Sequence, residues 1–500
     1  MTPFSYLAVF KALGAEIVLV VTAFAALTLD LASLRRAEMS VRLRTLGLLT
    51  FVGLAAAMIP LWQLAGQPHH TFLAGTLAVD DLVLFFKVII LLLSLVTVLI
   101  SMNYDVGRHV GEYFAVLLFG AIGMMLLISA EELITIFVAL ELTSISLYIL
   151  TAFHKGELRS QEAAMKYFMF GAISSAFLLF GLSYVLGVTG VTSLPAIREF
   201  VAGTAKQGMS ALLAAGLLFI LVGFGFKVAI APFHLWAPDA YEGAPTPVTA
   251  FIATGSKVAS FFVFLKLLFV GFAGLEGSAF WAHFSSGWTM LLAITGALSM
   301  VLGNCAAIVQ RNIKRLLAYS AIAHAGYIFI GLTAATRMGA TSVLFYIIVY
   351  SLTNLGAFGV VAALSSRAGG DEMQNFDGMA RRAPFLSLLM LVFVLSLAGI
   401  PPLGGFFGKF YLFAAAVQRD AQNLGLLWLV ILGIVMSAVS LYYYLILLKH
   451  IYVAKAVDET RLTTPAYLNL SLALLALAVL ALGVFPERMV ALLNGLLAVL

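Results

Sequence analysis

About fourteen apolar segments, each close to 20 residues long, follow one another along this chain of 500 residues. A segment of that length can cross the hydrocarbon core of a bilayer as one α-helix. Only 10% of the residues are charged and 63% are hydrophobic, which leaves too few charges to cover a soluble protein. The segments are also too long and continuous for the alternating strands of a membrane β-barrel. The sequence therefore predicts an all-α polytopic membrane protein.

The first apolar segment lacks a basic n-region and a small-residue cleavage site, so we interpret it as the first span and not as a cleaved signal. The apolar tail after Pro486 is expected either along the membrane surface or packed on the bundle. We predict spans at residues 12–34, 45–65, 79–101, 111–128, 130–153, 161–187, 210–234, 246–272, 287–309, 314–334, 339–365, 384–417, 424–449 and 466–485.

Lys and Arg residues are concentrated in alternate loops, and this sets the predicted orientation. With both termini outside, the loops that carry most of these residues face the cytoplasm, as the positive-inside rule requires. The net charge of +5 then reflects cytoplasmic loops and predicts no nucleic-acid partner. We expect a multi-pass protein of the bacterial cytoplasmic (inner) membrane.

Proline and glycine interrupt two of the predicted spans. Pro232 follows Lys227 in span 7, and Pro401–Gly405 precedes Lys409 in span 12. The breaks are five spans apart, and an odd number of spans per unit inverts the second copy, as in many transporters. We predict helices 1–3 at residues 1–105, two inverted five-helix repeats at 106–272 and 273–465, and helix 14 with the tail at 466–500.

Three lysines lie inside predicted spans, away from the membrane surface. Lys257 is in the middle of an apolar stretch that runs from Pro247 to Phe272. An ammonium group at this depth is costly, and such residues usually line an ion path. Lys227 and Lys409 lie beside the two breaks, where backbone carbonyl groups are released. The alternative for each lysine is snorkelling to the membrane surface, and Lys257 suits it least.

Other titratable residues extend this set. Glu141 lies about 11 residues, or roughly 16 Å, into span 5. It is either a proton carrier or a member of a structural ion pair. His234 follows the break in span 7. His324 in span 10 could relay protons, although a hydrogen-bonded core histidine is commoner. Desolvation weakens the hold of an amine on its proton and a nearby carboxylate strengthens it, so we predict coupled titrating sites along Glu141–Lys227–Lys257–His324–Lys409.

The remaining intramembrane lysines lie nearer to span ends. Lys166 is five residues into span 6, where it either snorkels or has a function. Lys87 and Lys266 are within a few turns of span ends, so we expect both to snorkel and Lys266→Ala to change little. Glu131 and Glu132 are expected at the interface.

No cofactor or metal site is predicted in this chain. Cys305 is the only cysteine, which excludes a disulfide framework and a cysteine-ligated iron–sulfur cluster. The sequence contains no Walker loop, no dinucleotide fingerprint after a strand and no His/Glu metal pair.

Several stretches together resemble the antiporter-like membrane subunits of respiratory complex I, the proton-pumping NADH:quinone oxidoreductase, and among them the subunit N family. The likeness covers spans 4–13 and is highly specific as a combination. The stretches are APFHLWAPDAYEGAPTPV at 231–248, Gly303-Asn304, NIKRLLAYS at 312–320, AHAG at 323–326 and LAGIPPLGGFFGK at 397–409.

The resemblance implies roles for the buried residues. Glu141 and Lys227 would pair in the first half-channel, Lys257 would be the central connector, and Lys409 would end the second half-channel. Lys166 falls where the family has a further lysine, and a lysine rather than a glutamate at 409 fits subunit N. The family fold also has fourteen spans with inverted repeats.

The resemblance further implies a non-redox subunit of a translocase, in which quinone reduction elsewhere drives proton translocation. Flavin, iron–sulfur clusters and quinone are then expected in other subunits. The implied partners are other membrane-arm subunits, including a neighbouring antiporter-like subunit and small membrane subunits, together with lipids. The alternatives are a subunit of a multisubunit cation/proton antiporter or membrane-bound hydrogenase, and a non-conducting scaffold.

The predicted orientation can be tested by labelling. We expect Arg311, Lys314 and Arg315 to face the cytoplasm and Arg337 to face outward. Single cysteines at 314 and 337 should therefore differ in right-side-out vesicles treated with an impermeant thiol reagent, with labelling at 337 only. Labelling at 314 but not at 337 would invert the topology.

Overall fold

The computed structural model describes residues 6–67, 69–73, 75–204, 209–456 and 460–497. Part of the loop between the predicted spans 161–187 and 210–234 and the last residues of the apolar tail lie outside these ranges. The helices of the N-terminal part are α1 Tyr6–Ala12, α2 Gly14–Leu29, α3 Met39–Ala56, α4 Met58–Leu64, α5 Asp81–Ser101, α6 Val110–Ser129, α7 Leu133–Thr151, α8 Leu158–Thr189, α9 Leu194–Thr204 and α10 Ala211–Val228.

The C-terminal part contains the remaining helices. These helices are α11 Trp236–Gly243, α12 Thr246–Phe251, α13 Lys257–Lys266, α14 Trp288–Ile308, α15 Ile313–Thr333, α16 Arg337–Ala368, α17 Met379–Arg382, α18 Pro384–Ala398, α19 Gly404–Arg419, α20 Leu427–Tyr452, α21 Ala466–Val484 and α22 Pro486–Leu496. Two antiparallel hairpins are formed by β1 His70–Phe72 with β2 Leu77–Val79 and by β3 Ser278–Phe280 with β4 His283–Ser285.

The described residues contain 13 helical segments long and apolar enough to cross a membrane. The predicted span 384–417 is instead two shorter helices, α18 and α19, with Gly399–Leu403 between them. The predicted all-α polytopic membrane fold is confirmed. The inverted repeats at 106–272 and 273–465 stay a prediction.

Side-chain caps fix where several spans begin. Asp80 accepts a hydrogen bond from the Val83 amide at the start of α5, and Glu132 accepts one from the Thr135 amide at the start of α7. Such caps satisfy backbone donors that a helix leaves unpaired at its N terminus. They therefore fix the register of spans whose apolar runs would otherwise permit sliding.

Three π-helical segments interrupt the spans, and each adjoins a charged residue. Asp30–Leu34 begins with Asp30, Ile252–Ser256 ends directly before Lys257, and Leu267–Gly271 begins directly after Lys266. Single π-helical turns inside α-helices occur frequently at functional sites. The helix that carries Lys257 and Lys266 is thus irregular at both ends.

The chain divides into two compact units. Unit 1 runs to Phe224 and includes Gly255–Gly274. Within it, α6 packs against α2, α5, α7 and α13. At one end of α6 the amide of Gly111 donates to Asp30 (3.0 Å), which also pairs with Arg42 (2.7 Å).

At the other end of α6, strand β2 approaches the link between α6 and α7. Leu77 bridges Ala130, and the amide of Glu131 donates to the Thr76 carbonyl (2.9 Å). The amide of Leu194 in turn donates to the Glu131 carbonyl. We call this the hairpin end of unit 1.

Unit 2 comprises Gly225–Thr254 and Leu275–Gly495. Its centre is α15, which is almost entirely buried and packs against α14, α16, α19 and α20. The tail helix α22 packs on the bundle, because Arg337 and Thr341 of α16 hydrogen-bond to Asn494 at 2.7 and 2.6 Å.

The structure also changes the best labelling position in the loop before α15. Lys314 is buried, with its Nζ 3.1 Å from Asp371 Oδ2, whereas Arg311 is exposed. A cysteine at 311 is therefore the accessible probe of this loop, and a cysteine at 314 is not.

Candidate functional site

Unit 2 contains a buried network of hydroxyl groups around His324. Nδ1 of His324 lies 2.5 Å from the hydroxyl of Tyr346, and Nε2 lies 3.1 Å from the hydroxyl of Tyr444. The Tyr444 hydroxyl also lies 2.5 Å from Ser320 Oγ. Because both ring nitrogens have hydroxyl partners, His324 can accept a proton on one side and pass one on at the other.

A second hydrogen-bonded group lies between α14, α15 and α20. The Tyr443 hydroxyl donates to Asn304 Oδ1 (3.0 Å), and Asn304 Nδ2 donates to the Tyr327 hydroxyl (3.1 Å). The rings of Tyr443 and Tyr444 are 4.5 Å apart, which brings this group next to the hydroxyls around His324. Three helices thus converge on one polar region inside an otherwise apolar core.

Lys409 is buried in α19 and points back at the end of α18. Its Nζ donates to the carbonyls of Leu397 (3.0 Å) and Ala398 (3.2 Å) and to Ser437 Oγ (2.8 Å). These carbonyls belong to the last turn of α18, where the helix dipole is negative and favours a cation. Nζ also lies 4.9 Å from the ring centre of Tyr327. The break in span 12 therefore creates the binding position of this ammonium group.

Lys409 also lines a cleft of about 320 Å³ in unit 2. The cleft runs between α19 and α20 and includes Ser437, the hydrogen-bond partner of the lysine. Phe410 and Ile434 at its rim are exposed. The ammonium group is thus close to a lateral surface of this unit.

Lys227 lies in the last turn of α10, directly before the first break. It is buried, and Ala229 turns the chain with a positive φ of 59°. The carbonyl of Phe226 accepts hydrogen bonds from the Ala229 amide (3.0 Å) and from the Trp236 indole (2.8 Å). His234, within the break, is half-buried, and its Nδ1 has no hydrogen-bond partner among the described residues.

Lys257 is the first residue of α13 and follows the π-helical segment Ile252–Ser256. Only 2% of the residue is exposed. Helix α13 packs on α5 and α6, with the rings of Phe86 and Phe262 4.7 Å apart. The lysine is therefore held in a bundle interior at the middle of a span.

Glu141 is half-buried on α7. Its Oε1 accepts a hydrogen bond from Ser175 Oγ of α8 (2.5 Å). Val138 and Ile145, three and four residues away on the same face, are exposed. Glu141 thus borders a lateral apolar surface of unit 1.

Lys166 is less enclosed than the other candidate lysines. Its side chain is 41% exposed and its Nζ lies 2.6 Å from Glu162 Oε1, one turn earlier on α8. This geometry is that of a surface ion pair on a helix.

The expectation that Lys87 and Lys266 snorkel is wrong. Lys87 is fully buried with its Nζ 2.7 Å from Glu16 Oε1, and Lys266 is 2% exposed with its Nζ 2.5 Å from Glu131 Oε1. Glu131 and Glu132, at the start of α7, are buried within the protein as well, and their position at the membrane interface stays a prediction. Each lysine pairs with a carboxylate inside the bundle and does not extend to the surface. The expectation that Lys266→Ala changes little therefore no longer has a physical reason.

The candidate residues divide between the two units. Unit 1 contains Glu141, Lys166 and Lys257, and unit 2 contains Lys227, His234, His324 and Lys409. The structure joins His324 and Lys409 to hydroxyl and amide groups that the sequence reasoning did not single out as functional. In the sequence, these groups could have been noticed only as polar side chains within apolar spans. They are Asn304, Ser320, Tyr327, Tyr346, Ser437, Tyr443 and Tyr444.

Among the described residues, no three His, Cys, Asp or Glu side chains are grouped as metal ligands. The fold and the site together define a multi-span membrane protein with titratable residues buried between its helices. Residues 130–439 match the family described as NADH:quinone oxidoreductase/Mrp antiporter, transmembrane, and the chain belongs to this family.

Individual relatives agree with this assignment. A protein of Acidobacterium capsulatum named NADH-quinone oxidoreductase subunit N 2 is 46% identical over 97% of this chain and 99% of its own length. A chain of respiratory complex I from Thermus thermophilus is 34% identical, with a TM-score of 0.77 over 95% of this chain and 98% of its own. A chain of the Mrp complex from Dietzia sp. shares the fold at 18% identity, with a TM-score of 0.81 over 98% of this chain and 97% of its own.

The Lys87–Glu16 pair gives a test of how the interior is held together. Lys87→Met should destabilise the protein by about 3–5 kcal/mol, because it leaves a carboxylate buried without its cation. The double variant Glu16→Gln, Lys87→Met should recover most of the loss, since neither charge remains. Thermal unfolding in detergent measures both, and equal destabilisation in the two variants would contradict the ion-pair account.

Proposed function

We propose that this chain translocates protons as a non-redox membrane subunit of an NADH:quinone oxidoreductase. The observation that carries the proposal is Lys257, a buried lysine at the middle of a span in a chain of this family. A buried amine in a bundle can gain and lose a proton according to the charges around it. Redox chemistry on flavin, iron–sulfur clusters and quinone would take place in other subunits.

Protons are proposed to pass through two half-channels along the buried axis. Glu141, Lys166, Lys227 and His234 would serve the first half-channel, with Lys257 as the connector. His324 and Lys409 would serve the second. The hydroxyl network around His324 supports this, because Tyr346, Tyr444 and Ser320 supply donors and acceptors within hydrogen-bond distance of one another.

Lys409 supports a switching role in the second half-channel. Its ammonium is held by the carbonyls of Leu397 and Ala398, and these dipoles favour the charged form. Charge rearrangement nearby would change that preference and release or capture a proton. Quinone reduction elsewhere in the complex would supply the driving force.

The proposed partners are other membrane-arm subunits, including a neighbouring antiporter-like subunit and small membrane subunits, together with lipids. Glu141 borders an exposed apolar face, and the cleft of Lys409 opens beside exposed Phe410 and Ile434. A partner at either surface would bring its own charges close to the axis. The proposed location is the bacterial cytoplasmic membrane with both termini outside.

The alternatives are antiport in a multisubunit cation/proton antiporter, membership of a membrane-bound hydrogenase, and a non-conducting scaffold. The likeness to the Mrp complex concerns the fold alone at 18% identity. The 46% identity to a relative named subunit N 2 favours the oxidoreductase.

The lysine at the centre of the axis gives the direct test. Lys257→Ala should abolish or strongly reduce proton pumping while the chain still inserts and assembles. Lys257→Arg should fail too, because a guanidinium stays protonated. Glu141→Gln should lower turnover, because the path loses a carboxylate that adjusts proton affinity.

The measurement is proton pumping and NADH:quinone turnover of the assembled complex, normalised to the amount of this subunit. Normal pumping in both Lys257→Ala and Lys257→Arg would rule out conduction and leave the scaffold. Defective pumping with normal assembly supports the proposal.

The hydroxyl network gives a matched pair of variants on α20. Tyr444→Phe removes the hydroxyl that contacts His324 and Ser320, and should reduce pumping by roughly tenfold or more, as loss of a proton-transfer group does. Tyr442→Phe, two residues away on an exposed position, should leave pumping unchanged. Equal pumping in both variants would show that the network does not carry protons.

A further inference from the structure

Helix α13, which begins with Lys257 and ends with Lys266, is enclosed on every side. All ten of its residues are buried, and only the two lysines and Ser260 among them are not apolar. The apolar stripe of an amphipathic helix turns that side toward the core, but a helix that is apolar all round has no such stripe. The hydrophobic effect therefore does not decide how α13 is rotated about its own axis.

The backbone at the ends of α13 leaves this rotation open as well. The π-helical segments Ile252–Ser256 and Leu267–Gly271 adjoin the helix directly. A π-helical turn departs from the regular hydrogen-bond ladder of an α-helix, and helices bend or shift at such points. The rotation of α13 is thus not dictated by the rest of the span.

One charged contact joins α13 to a part of unit 1 that backbone hydrogen bonds hold in place. Lys266 Nζ lies 2.5 Å from Glu131 Oε1, and both side chains are less than a tenth exposed. The backbone of Glu131 is held on both sides, because its amide donates to the Thr76 carbonyl and its carbonyl accepts from the Leu194 amide. The π-helical segment after Lys266 packs on α9, whose first residue is Leu194. The carboxylate is therefore a fixed point to which the end of α13 is bound.

The same pair sets the direction of Lys257, because α13 turns as one body. Lys257 and Lys266 are nine residues, or about 13 Å, apart along the axis and lie on opposite sides of the helix. With the Lys266 ammonium bound to Glu131, Lys257 is directed to the side of α13 away from this carboxylate. A change in rotation would move the Lys257 ammonium relative to every charge around it.

Stability alone gives no reason for the pair. Burying an ion pair costs desolvation energy, and apolar residues of similar volume are often as stabilising or more so. The best-attested use of buried polar groups is to specify the register of elements that apolar packing leaves ambiguous. Helix α13, apolar all round and irregular at both ends, is such an element.

We propose that the Lys266–Glu131 ion pair fixes the rotation of α13 and so holds Lys257 in the position from which it exchanges its proton. Lys266 and Glu131 are positioning residues that keep their charges throughout, and no proton passes through them. This assignment rests on the proposed function, in which Lys257 connects the half-channels.

The decisive variant is Glu131→Gln with Lys266→Met, which removes the pair without leaving an unpaired ion buried, so the chain should fold. A Lys257 amine in a different position meets different charges, and its protonation then changes at a different pH. We expect pumping at the wild-type optimum to fall by roughly tenfold. We also expect the pH profile of NADH:quinone turnover to move by about half a unit or more. Both are measured in membrane vesicles, normalised to this subunit.

Lys266→Arg separates positioning from proton transfer. It keeps the charge and the ion pair, so it should pump at close to the wild-type level with the wild-type pH profile. A group that carried protons would fail as arginine, because a guanidinium stays protonated. A moved pH profile in Lys266→Arg, or pumping as low as in the double variant, overturns the positioning role.

Glu16→Gln with Lys87→Met is the matched control. It neutralises a second buried ion pair of unit 1, which joins α2 to α5 and includes no residue of α13. Its pH profile should stay as in the wild type, even where the amount of assembled complex falls. An unmoved profile in Glu131→Gln, Lys266→Met, or an equal movement in the control, overturns the proposal and leaves the Lys266–Glu131 pair structural only.

Glu131→Asp decides the question if the double variant does not assemble. It retains both charges and draws the carboxylate back by one methylene group, so we expect a smaller movement of the pH profile, and an unmoved profile overturns the proposal. If Lys257→Ala and Lys257→Arg both pump normally, the proposed function itself has failed. If they are defective while Glu131→Gln, Lys266→Met behaves as the wild type, the function stands without this positioning pair.

Discussion

The structure depends on the partners that buried ions find inside a low-dielectric bundle. An isolated charge in such an interior costs far more than a hydrogen bond returns. Lys87 and Lys266 are each paired with a carboxylate, and Lys409 is held by the last carbonyls of α18. These interactions decide which helices can be neighbours, since each joins residues of different helices or helix ends.

Backbone irregularity supplies what side chains alone cannot. A continuous helix uses all its carbonyls internally, so an ammonium can be bound by backbone only where a helix ends. The break between α18 and α19 provides such an end for Lys409. At the break after Lys227, the carbonyl of Phe226 accepts hydrogen bonds from the Ala229 amide and from the Trp236 indole.

The sequence predicted the membrane class, the helical fold and the approximate spans, because hydropathy and length determine them directly. It also singled out Lys257 and Lys409, since a cation deep in an apolar run is visible without a structure. It did not predict the partners of Lys87 and Lys266, because distance from a span end says nothing about which helix lies opposite. Their carboxylates, Glu16 and Glu131, come from other helices or links and become visible only when the helices are packed.

The hydroxyl network shows the same limit for neutral groups. Tyr444, Tyr346 and Ser320 come from three helices, and each alone looks like an ordinary residue of an apolar span. Only packing brings the hydroxyls of both tyrosines within 3.1 Å of the two nitrogens of His324. Covalent neighbours can be read from a sequence, whereas such convergence depends on the register of helices far apart in the chain.

The central claim is that Lys257 gains and loses a proton during turnover. The most direct measurement is the number of protons translocated per NADH oxidised by assembled complexes with Lys257→Gln, which keeps a polar side chain of similar length but cannot titrate. The account predicts one of two results. Either turnover and proton translocation are lost together, or turnover continues with fewer protons translocated per NADH oxidised. An unchanged ratio at normal turnover would contradict it.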